Sequence, residues 1–274
     1  LLAGSDTESE LVFGSSEDVR GSSAKSLYDG ERALGGCVRA GPYNVVLTGI
    51  VLMLAFTAFT PLQSVQSVVL SSLAFTGLGI LYAGLASFTL VAPGLVRALG
   101  EKWAMLVGGL CFVQYLAVQC LLVLLLVPAH PDLSKALYFA SSLLMGVGGS
   151  ILYTSQGSFV SSCAPSDALG SYNAIFFGLY MCNYFFGGLI LQFVGNADTK
   201  ILFLTLTGVG VLSIVPLLMI FQPKRLVVAA RRGRKFSVLD TLKLFVDKRM
   251  LLLVPLFVYS GLSAAYFYGK LSSV

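Results

Sequence analysis

The chain has 274 residues and a formal net charge of +5, with 56% hydrophobic residues, 11% charged residues and a mean hydropathy of +0.85. Soluble globular domains carry about 25% charged residues, so this composition excludes an ordinary soluble domain. The apolar residues come in runs of roughly 20, the length that a helix needs to cross the ~30 Å hydrocarbon core of a bilayer. The composition therefore predicts an all-α membrane protein.

The chain begins with a polar segment, residues 1–42, that is rich in serine, glycine and charges of both signs. Its apolar surface is too small to offset the entropy lost on ordering, which predicts a disordered cytoplasmic tail. The segment has neither an initiator methionine nor a cleavable signal peptide. We therefore expect the sequence to be truncated at this end.

Seven apolar stretches follow the tail and predict seven membrane-spanning helices. They lie near Val45–Leu62, Phe75–Val96, Ala104–Val127, Leu137–Tyr153, Ile175–Val194, Ile201–Phe221 and Met250–Tyr268. We assign the first six to an N-terminal six-helix bundle, residues 43–222. The seventh, within residues 249–274, would be the first helix of a second bundle.

The densest positive charge lies in and beside the predicted cytoplasmic linker, residues 223–248. Its basic residues are Lys224, Arg225, Arg231, Arg232, Arg234, Lys235, Lys243, Lys248 and Arg249. Basic residues in short loops stay in the cytoplasm, and the loop after the second span also carries Arg97 and Lys102. This pattern predicts a cytoplasmic N-terminus, which argues against a heptahelical receptor. Apolar residues at helical spacing in 236–246 predict an amphipathic helix on the inner leaflet, so we expect the linker to meet anionic lipid rather than nucleic acid.

The polar groups in the middle of the first six predicted spans are neutral, with no Asp, Glu, Lys, Arg or His among them. Their neutrality argues against a proton-coupled pump acting through these spans. An amide buried without a partner costs about 1–3 kcal/mol, so these groups must face other helices or an aqueous cavity. Two interpretations stay open: interhelical hydrogen bonds, or a cavity for a neutral or zwitterionic solute. The candidate cavity-lining residues are Gln63, Gln66, Tyr82, Gln156, Asn173, Asn183 and Tyr259.

Glycines punctuate the second, fourth, fifth and sixth predicted spans. They are Gly77, Gly79, Gly84, Gly146, Gly148, Gly149, Gly187, Gly188, Gly208 and Gly210. Small residues let helices approach closely in lipid, which predicts packing contacts. The alternative is that those of the second and fourth spans are flexible points in a rocking motion.

Catalytic chemistry is not indicated by any motif. The five cysteines are scattered without metal-ligand spacing, and the single histidine, His130, lies in a predicted loop. The sequence also lacks a nucleophile–base pair, a carboxylate dyad and a phosphate-binding loop. We therefore predict a protein that is not an enzyme, with no catalytic residue, no metal and no cofactor.

Five short motifs, read in chain order, resemble the uncoordinated-93-like branch of the major facilitator superfamily. They are F-T-A-x-x-x-L-Q-S-x-Q-S from Phe56 to Ser67, L-Y-x-G from Leu81 to Gly84, Y-T-S-Q from Tyr153 to Gln156, I-F-F with G-x-L-I from Ile175 to Ile190, and L-L-x-P-L-x-x-Y-S-G-L from Leu252 to Leu262. Tyr153 stands where the branch usually has tryptophan, and Met181 replaces a more polar residue. The segment from Pro93 to Lys102 loosely resembles the superfamily's signature loop. Arg97, Gly100 and Lys102 match this gating loop, but its acidic member is missing from the usual place.

The resemblance implies two six-helix bundles around a central cavity that work by alternating access, of which this chain would hold the N-terminal half and the seventh helix. It also implies an alternative, because some members of the branch regulate potassium channels or escort nucleic-acid-sensing Toll-like receptors. One hypothesis is therefore a transporter-like protein, which requires the candidate residues to converge on one water-accessible space. The other is a non-transporting regulator or trafficking partner of an ion channel or receptor. Besides the lipid bilayer, the expected partner is a small solute in the first case and a membrane protein in the second.

Overall fold

The computed structural model of the protein describes residues 41–66, 72–126, 131–165, 168–195, 198–220 and 248–270. Within these ranges the chain forms helices and no strand, which confirms the all-α prediction. The helices are α1 (Gly41–Gln66), α2 (Ser72–Thr89), α3 (Ala92–Leu99), α4 (Glu101–Leu121), α5 (Pro131–Cys163), α6 (Leu169–Val194), α7 (Thr199–Leu212), α8 (Ile214–Met219) and α9 (Lys248–Lys270). The predicted tail as far as residue 40, the linker as far as residue 247 and its amphipathic segment lie outside the described residues.

Five of the helical segments are long and apolar enough to cross a bilayer: α1, α4 with the start of the π-helical turn Leu122–Leu126, α5, α6, and α7 with α8. Together α2 and α3 make a sixth, bent span. Each of the first six predicted spans therefore coincides with such a segment. The seventh predicted span, Met250–Tyr268, lies within α9.

The second predicted span is not one straight helix. The chain turns by 68° between α2 and α3, and Pro93 lies in the first turn of α3. Proline has no backbone N–H and a fixed φ, so it suits the start of a helix better than the middle of one. The predicted continuous helix Phe75–Val96 is therefore wrong at its C-terminal end.

The fourth predicted span, Leu137–Tyr153, is the middle of a much longer helix, because α5 runs over 33 residues. At 1.5 Å per residue, α5 is about 50 Å long and extends beyond a hydrocarbon core of ~30 Å. Its C-terminal part is rich in serine, which lowered the hydropathy on which the predicted boundary depended. The serine hydroxyls there are satisfied by backbone carbonyls of the preceding turn, as at Ser155 and Ser161.

Helix α1 lies at the centre of the bundle, whereas α6 lies at its edge. The most apolar window of α1 is 72% buried and that of α6 is 17% buried. The ring of Phe56 on α1 packs against Phe112 of α4, Tyr153 of α5 and Tyr180 of α6, with ring centroids 5.1–5.9 Å apart. One side chain of α1 thus joins three other helices.

Helix α5 is held between α2 and α4 by glycines that allow the backbones to touch. A Cβ added at Gly146 would lie 3.0 Å from the backbone nitrogen of Leu85 on α2. A Cβ at Gly108 of α4 would lie 2.8 Å from the carbonyl oxygen of Gly148 on α5. Gly146 thus makes a packing contact of the kind that the sequence predicts, and Gly108, which was not among the predicted glycines, makes another. Three of the predicted glycines, Gly79, Gly188 and Gly208, have no neighbouring atom within 4 Å of such a Cβ.

Candidate functional site

Side chains from five helices surround a cavity of about 80 Å³ inside the bundle. The volume is enough for several water molecules, since one needs roughly 10–15 Å³ of such space. The lining residues share an aromatic or neutral character: Phe56, Phe59, Thr60, Gln63, Leu81, Tyr82, Leu85, Phe112, Met145, Gly149, Tyr153, Tyr180 and Tyr184. None of these described lining residues carries a charge.

Gln63 and Tyr82 are the two predicted cavity residues that lie in this lining. The amide Nε2 of Gln63 on α1 donates to the hydroxyl of Tyr82 on α2 at 2.9 Å. Gln63 is 4% exposed, whereas Tyr82 is 49% exposed. The buried amide therefore positions a phenol whose ring remains largely uncovered.

Four tyrosines from three helices come together around the cavity. Tyr82 belongs to α2, Tyr153 to α5, and Tyr180 and Tyr184 to α6. All four line the cavity, and the rings of Tyr153 and Tyr180 both pack against Phe56, at centroid distances of 5.9 Å and 5.1 Å. The sequence reasoning missed Tyr180 and Tyr184. Their i, i+4 spacing places them on one face of α6, which was the available signal, but it could not reveal that Tyr153 lies opposite.

The second glutamine of the α1 pair points to a different partner. Gln66 is fully buried, and its Oε1 accepts a hydrogen bond of 2.9 Å from the hydroxyl of Tyr115 on α4. Its Nε2 has no partner among the described residues. The two glutamines are three residues apart, yet one faces α2 at the cavity and the other faces α4 outside it. Ser67, the last residue of the first family motif, lies outside the described residues.

The other four predicted cavity residues lie apart from this cavity. Asn173 and Asn183 on α6 each donate to a backbone carbonyl of their own helix, Leu169 and Tyr180 respectively. Gln156 on α5 has a buried Oε1 without a partner among the described residues, and Tyr259 on α9 is 70% exposed. The amides therefore do not converge on one space, and a role for these four in binding stays a prediction.

The predicted gating loop joins α3 to α4 and contains the one described glycine with a positive φ. Gly100 has a φ of 86°, a conformation that L side chains rarely adopt. Directly after it, Nζ of Lys102 donates to the carbonyls of Leu218 at 3.2 Å and Ile220 at 2.6 Å. The last carbonyls of a helix have no intrahelical partner, so Lys102 satisfies the end of α8. Arg97, the third predicted member, is exposed in the last turn of α3.

Glu101 supplies the acidic side chain of this loop, a role that the sequence did not indicate. Its Oε1 accepts hydrogen bonds from the hydroxyls of Ser158 at 2.5 Å and Ser162 at 3.0 Å, both on α5. The two serines are four residues apart and therefore lie on one face of α5. Together Glu101 and Lys102 tie the start of α4 to the end of α5 and the end of α8.

The five long apolar helical segments and the bent pair α2 and α3 identify an all-α, multi-pass membrane protein. A family model described as "Ion channel regulatory protein UNC-93" matches residues 66–272, which is more than half of the chain. The chain belongs to the UNC-93 family.

Individual relatives agree with this family assignment. The chain is similar to the UNC93-like protein MFSD11 of Xenopus tropicalis, with 25% identity over 260 residues that cover 82% of this chain and 56% of the relative. It is 26% identical to the UNC93-like protein 3 of Arabidopsis thaliana, over 97% of this chain and 57% of that protein. It is 27% identical to human Protein unc-93 homolog A, over 81% of this chain and 58% of that protein. The chain thus spans little more than half the length of the relatives it matches.

Proposed function

We propose that the protein is transporter-like, and that it binds a small neutral or zwitterionic solute in the aromatic cavity and moves it by alternating access. Only Gln63 and Tyr82 of the seven predicted residues line this cavity, so the expected convergence of all seven is not met. The observation that carries the proposal is instead the convergence of five helices, α1, α2, α4, α5 and α6, on one uncharged cavity. Binding sites for small molecules are concave, mostly apolar and supplied with a few oriented polar groups. Gln63 and the four tyrosines are the polar groups of this site.

Alternating access needs a second bundle against which this one can move. The sparse burial of α6 supports this, because its apolar surface is left to face lipid or another bundle. In the proposed cycle, Arg97, Gly100 and Lys102 form the gating loop on the cytoplasmic side, where the predicted orientation places the N-terminus. The contacts of Glu101 and Lys102 would keep α4, α5 and α8 together as one body while the two bundles rock.

The experiment is to test whether water reaches the cavity from both sides of the membrane. Thr60 lines the cavity, so Thr60→Cys in the protein made from its complete reading frame should react with a membrane-impermeant thiol reagent added from either side in turn. The matched control is Val107→Cys on α4, a 38% exposed side chain that is not part of the lining. It should react slowly, as lipid-facing thiols do. The unsubstituted protein measures the background from native cysteines such as the exposed Cys182. A Thr60→Cys protein that reacts from neither side would refute the proposal.

The second candidate function is regulation of an ion channel without transport. The observation that favours it is the family description itself, which names ion channel regulation. A regulator needs no water-filled path, so this function predicts that Thr60→Cys stays unreactive while the protein co-purifies with a channel subunit from native membranes. A reactive Thr60→Cys without any stable membrane partner would count against it.

A further inference from the structure

The cavity has an aromatic floor and an aromatic rim. Seven of its thirteen lining residues are aromatic. The three phenylalanines, Phe56, Phe59 and Phe112, are 2–6% exposed and form the floor. The tyrosines form the rim, and their rings are more open: Tyr153 is 38% and Tyr184 53% exposed. The rim therefore presents ring surface that this chain's described residues do not cover.

The aromatic side chains of the floor pack against one another and against two of the rim tyrosines. Phe56 contacts the rings of Phe59, Phe112, Tyr153 and Tyr180 at centroid distances of 5.1–5.9 Å, in edge-to-face or tilted arrangements. Such pairs are favoured by the quadrupoles of the rings. A site whose walls already hold each other in place loses little conformational entropy on binding.

The chemistry of the lining selects among ligand charges. An anion would find no cationic side chain there and would meet the negative faces of the rings. A polyol binds mainly through hydrogen bonds, whereas seven of the thirteen lining residues are aromatic and one of the tyrosine hydroxyls, that of Tyr82, already accepts from Gln63. A cation is attracted by ring faces within about 6 Å and needs no such donors. Because no carboxylate lines the cavity, that attraction would come from the rings alone.

We infer that the aromatic cavity binds an alkylated ammonium group, either as a simple organic cation or as the cationic end of a zwitterion. This inference rests on the proposed function, since it names the solute class of the same cavity. The opposite charge of a zwitterion would lie outside this lining.

The experiment uses the Thr60→Cys protein and asks which solutes slow its reaction with the thiol reagent. Tetramethylammonium, choline and glycine betaine should protect the thiol in a saturable way. The matched neutral probe is 3,3-dimethylbutan-1-ol, in which carbon replaces the nitrogen of choline and the shape is retained. It should protect at least about 3-fold more weakly than choline, as expected for loss of a cation–ring attraction.

A pair of variants at Tyr184 separates the ring from the hydroxyl. Tyr184→Phe keeps the ring and should retain protection by choline, whereas Tyr184→Leu removes it and should weaken protection about 3- to 30-fold. Tyr184 is half exposed, so both variants should fold, and monodisperse elution of each verifies this. If the hydroxyl rather than the ring binds the solute, both variants lose protection equally and the inference is overturned.

The failures of the inference and of the proposed function differ in this assay. If Thr60→Cys reacts but choline and its neutral isostere protect equally, or if neither protects, the ammonium inference is wrong and the water-accessible cavity remains. If Thr60→Cys reacts from neither side, the proposed function is wrong and the inference falls with it.

Discussion

Replacing Gly146 by alanine tests whether backbone contact between α2 and α5 holds the bundle together. The added Cβ would overlap the carbonyl oxygen of Leu81 and lie 3.0 Å from the nitrogen of Leu85. Both are backbone atoms of α2, so neither can move aside as a flexible side chain would, and the two helices must separate. Overpacking of this kind destabilises a protein by about 1–3 kcal/mol. The better helix propensity of alanine offsets at most about 1 kcal/mol of that loss. We expect the free energy of unfolding to fall by about 1–2 kcal/mol.

The matched control is Gly157→Ala, which makes the same substitution in the same helix. A Cβ at Gly157 would meet no atom within 4 Å, so this variant gains the helix propensity without the clash. The free energies of unfolding of both variants would be measured in one detergent by titration with a denaturing detergent, and their difference should be about 1–3 kcal/mol. Two variants of equal stability would refute the reasoning, because they would mean that α2 and α5 are not in backbone contact at Gly146.

Three further predictions concern the loop between α3 and α4. Lys102→Met should lower the free energy of unfolding by about 1 kcal/mol and speed amide exchange in the last turn of α8. The control, Lys135→Met, removes an exposed ion pair; it should lower the free energy of unfolding by at most about 1 kcal/mol and leave that exchange unchanged. Equal exchange in both variants would contradict the contact between Lys102 and α8. Glu101→Ala should lower the free energy of unfolding, measured by thermal unfolding, by about 1–3 kcal/mol because two serine hydroxyls lose their acceptor. Glu101→Gln keeps an acceptor oxygen there and should lower it less. Equal losses in the two variants would show that the acceptor is irrelevant. Trp103 is the single tryptophan of the chain and is 55% exposed. Lipids brominated near the headgroup should therefore quench its fluorescence more than lipids brominated at the chain ends, as expected for an interfacial tryptophan. Stronger quenching by the chain-end bromines would place Trp103 in the middle of the bilayer and contradict the prediction.

The sequence was sufficient for the helices because a membrane span is a property of one continuous segment. Its length and its apolar composition are both local, and the first six predicted spans each coincide with a helical segment of the structure. The errors fall where polar residues or proline lie inside a helical segment. Pro93 lies just after the 68° bend between α2 and α3, and the serines after Tyr153 lower the hydropathy of the C-terminal third of α5.

The cavity and the other polar contacts between helices were harder to predict because they join residues far apart in the chain. Gln63 and Tyr82 are separated by 19 residues, Gln66 and Tyr115 by 49, and Glu101 and Ser158 by 57. A helical spacing rule places two glutamines on one face of α1, but it does not say that the neighbours on that face are two different helices. For this reason the seven predicted cavity residues include only two that line the cavity.

The placement of the amides changes which residues a solute-binding hypothesis should depend on. Interhelical hydrogen bonding accounts for Gln66, whose Oε1 accepts from Tyr115, and bonds to the helix backbone account for Asn173 and Asn183. The amide nitrogen of Gln63 also has a partner, since it donates to the hydroxyl of Tyr82. Most of the lining is aromatic, and in the proposed site the quadrupoles of those rings would supply the selectivity. A binding assay directed at tyrosine rings is therefore a stronger test of this cavity than removal of its glutamine, which would also disturb the packing of α1 against α2.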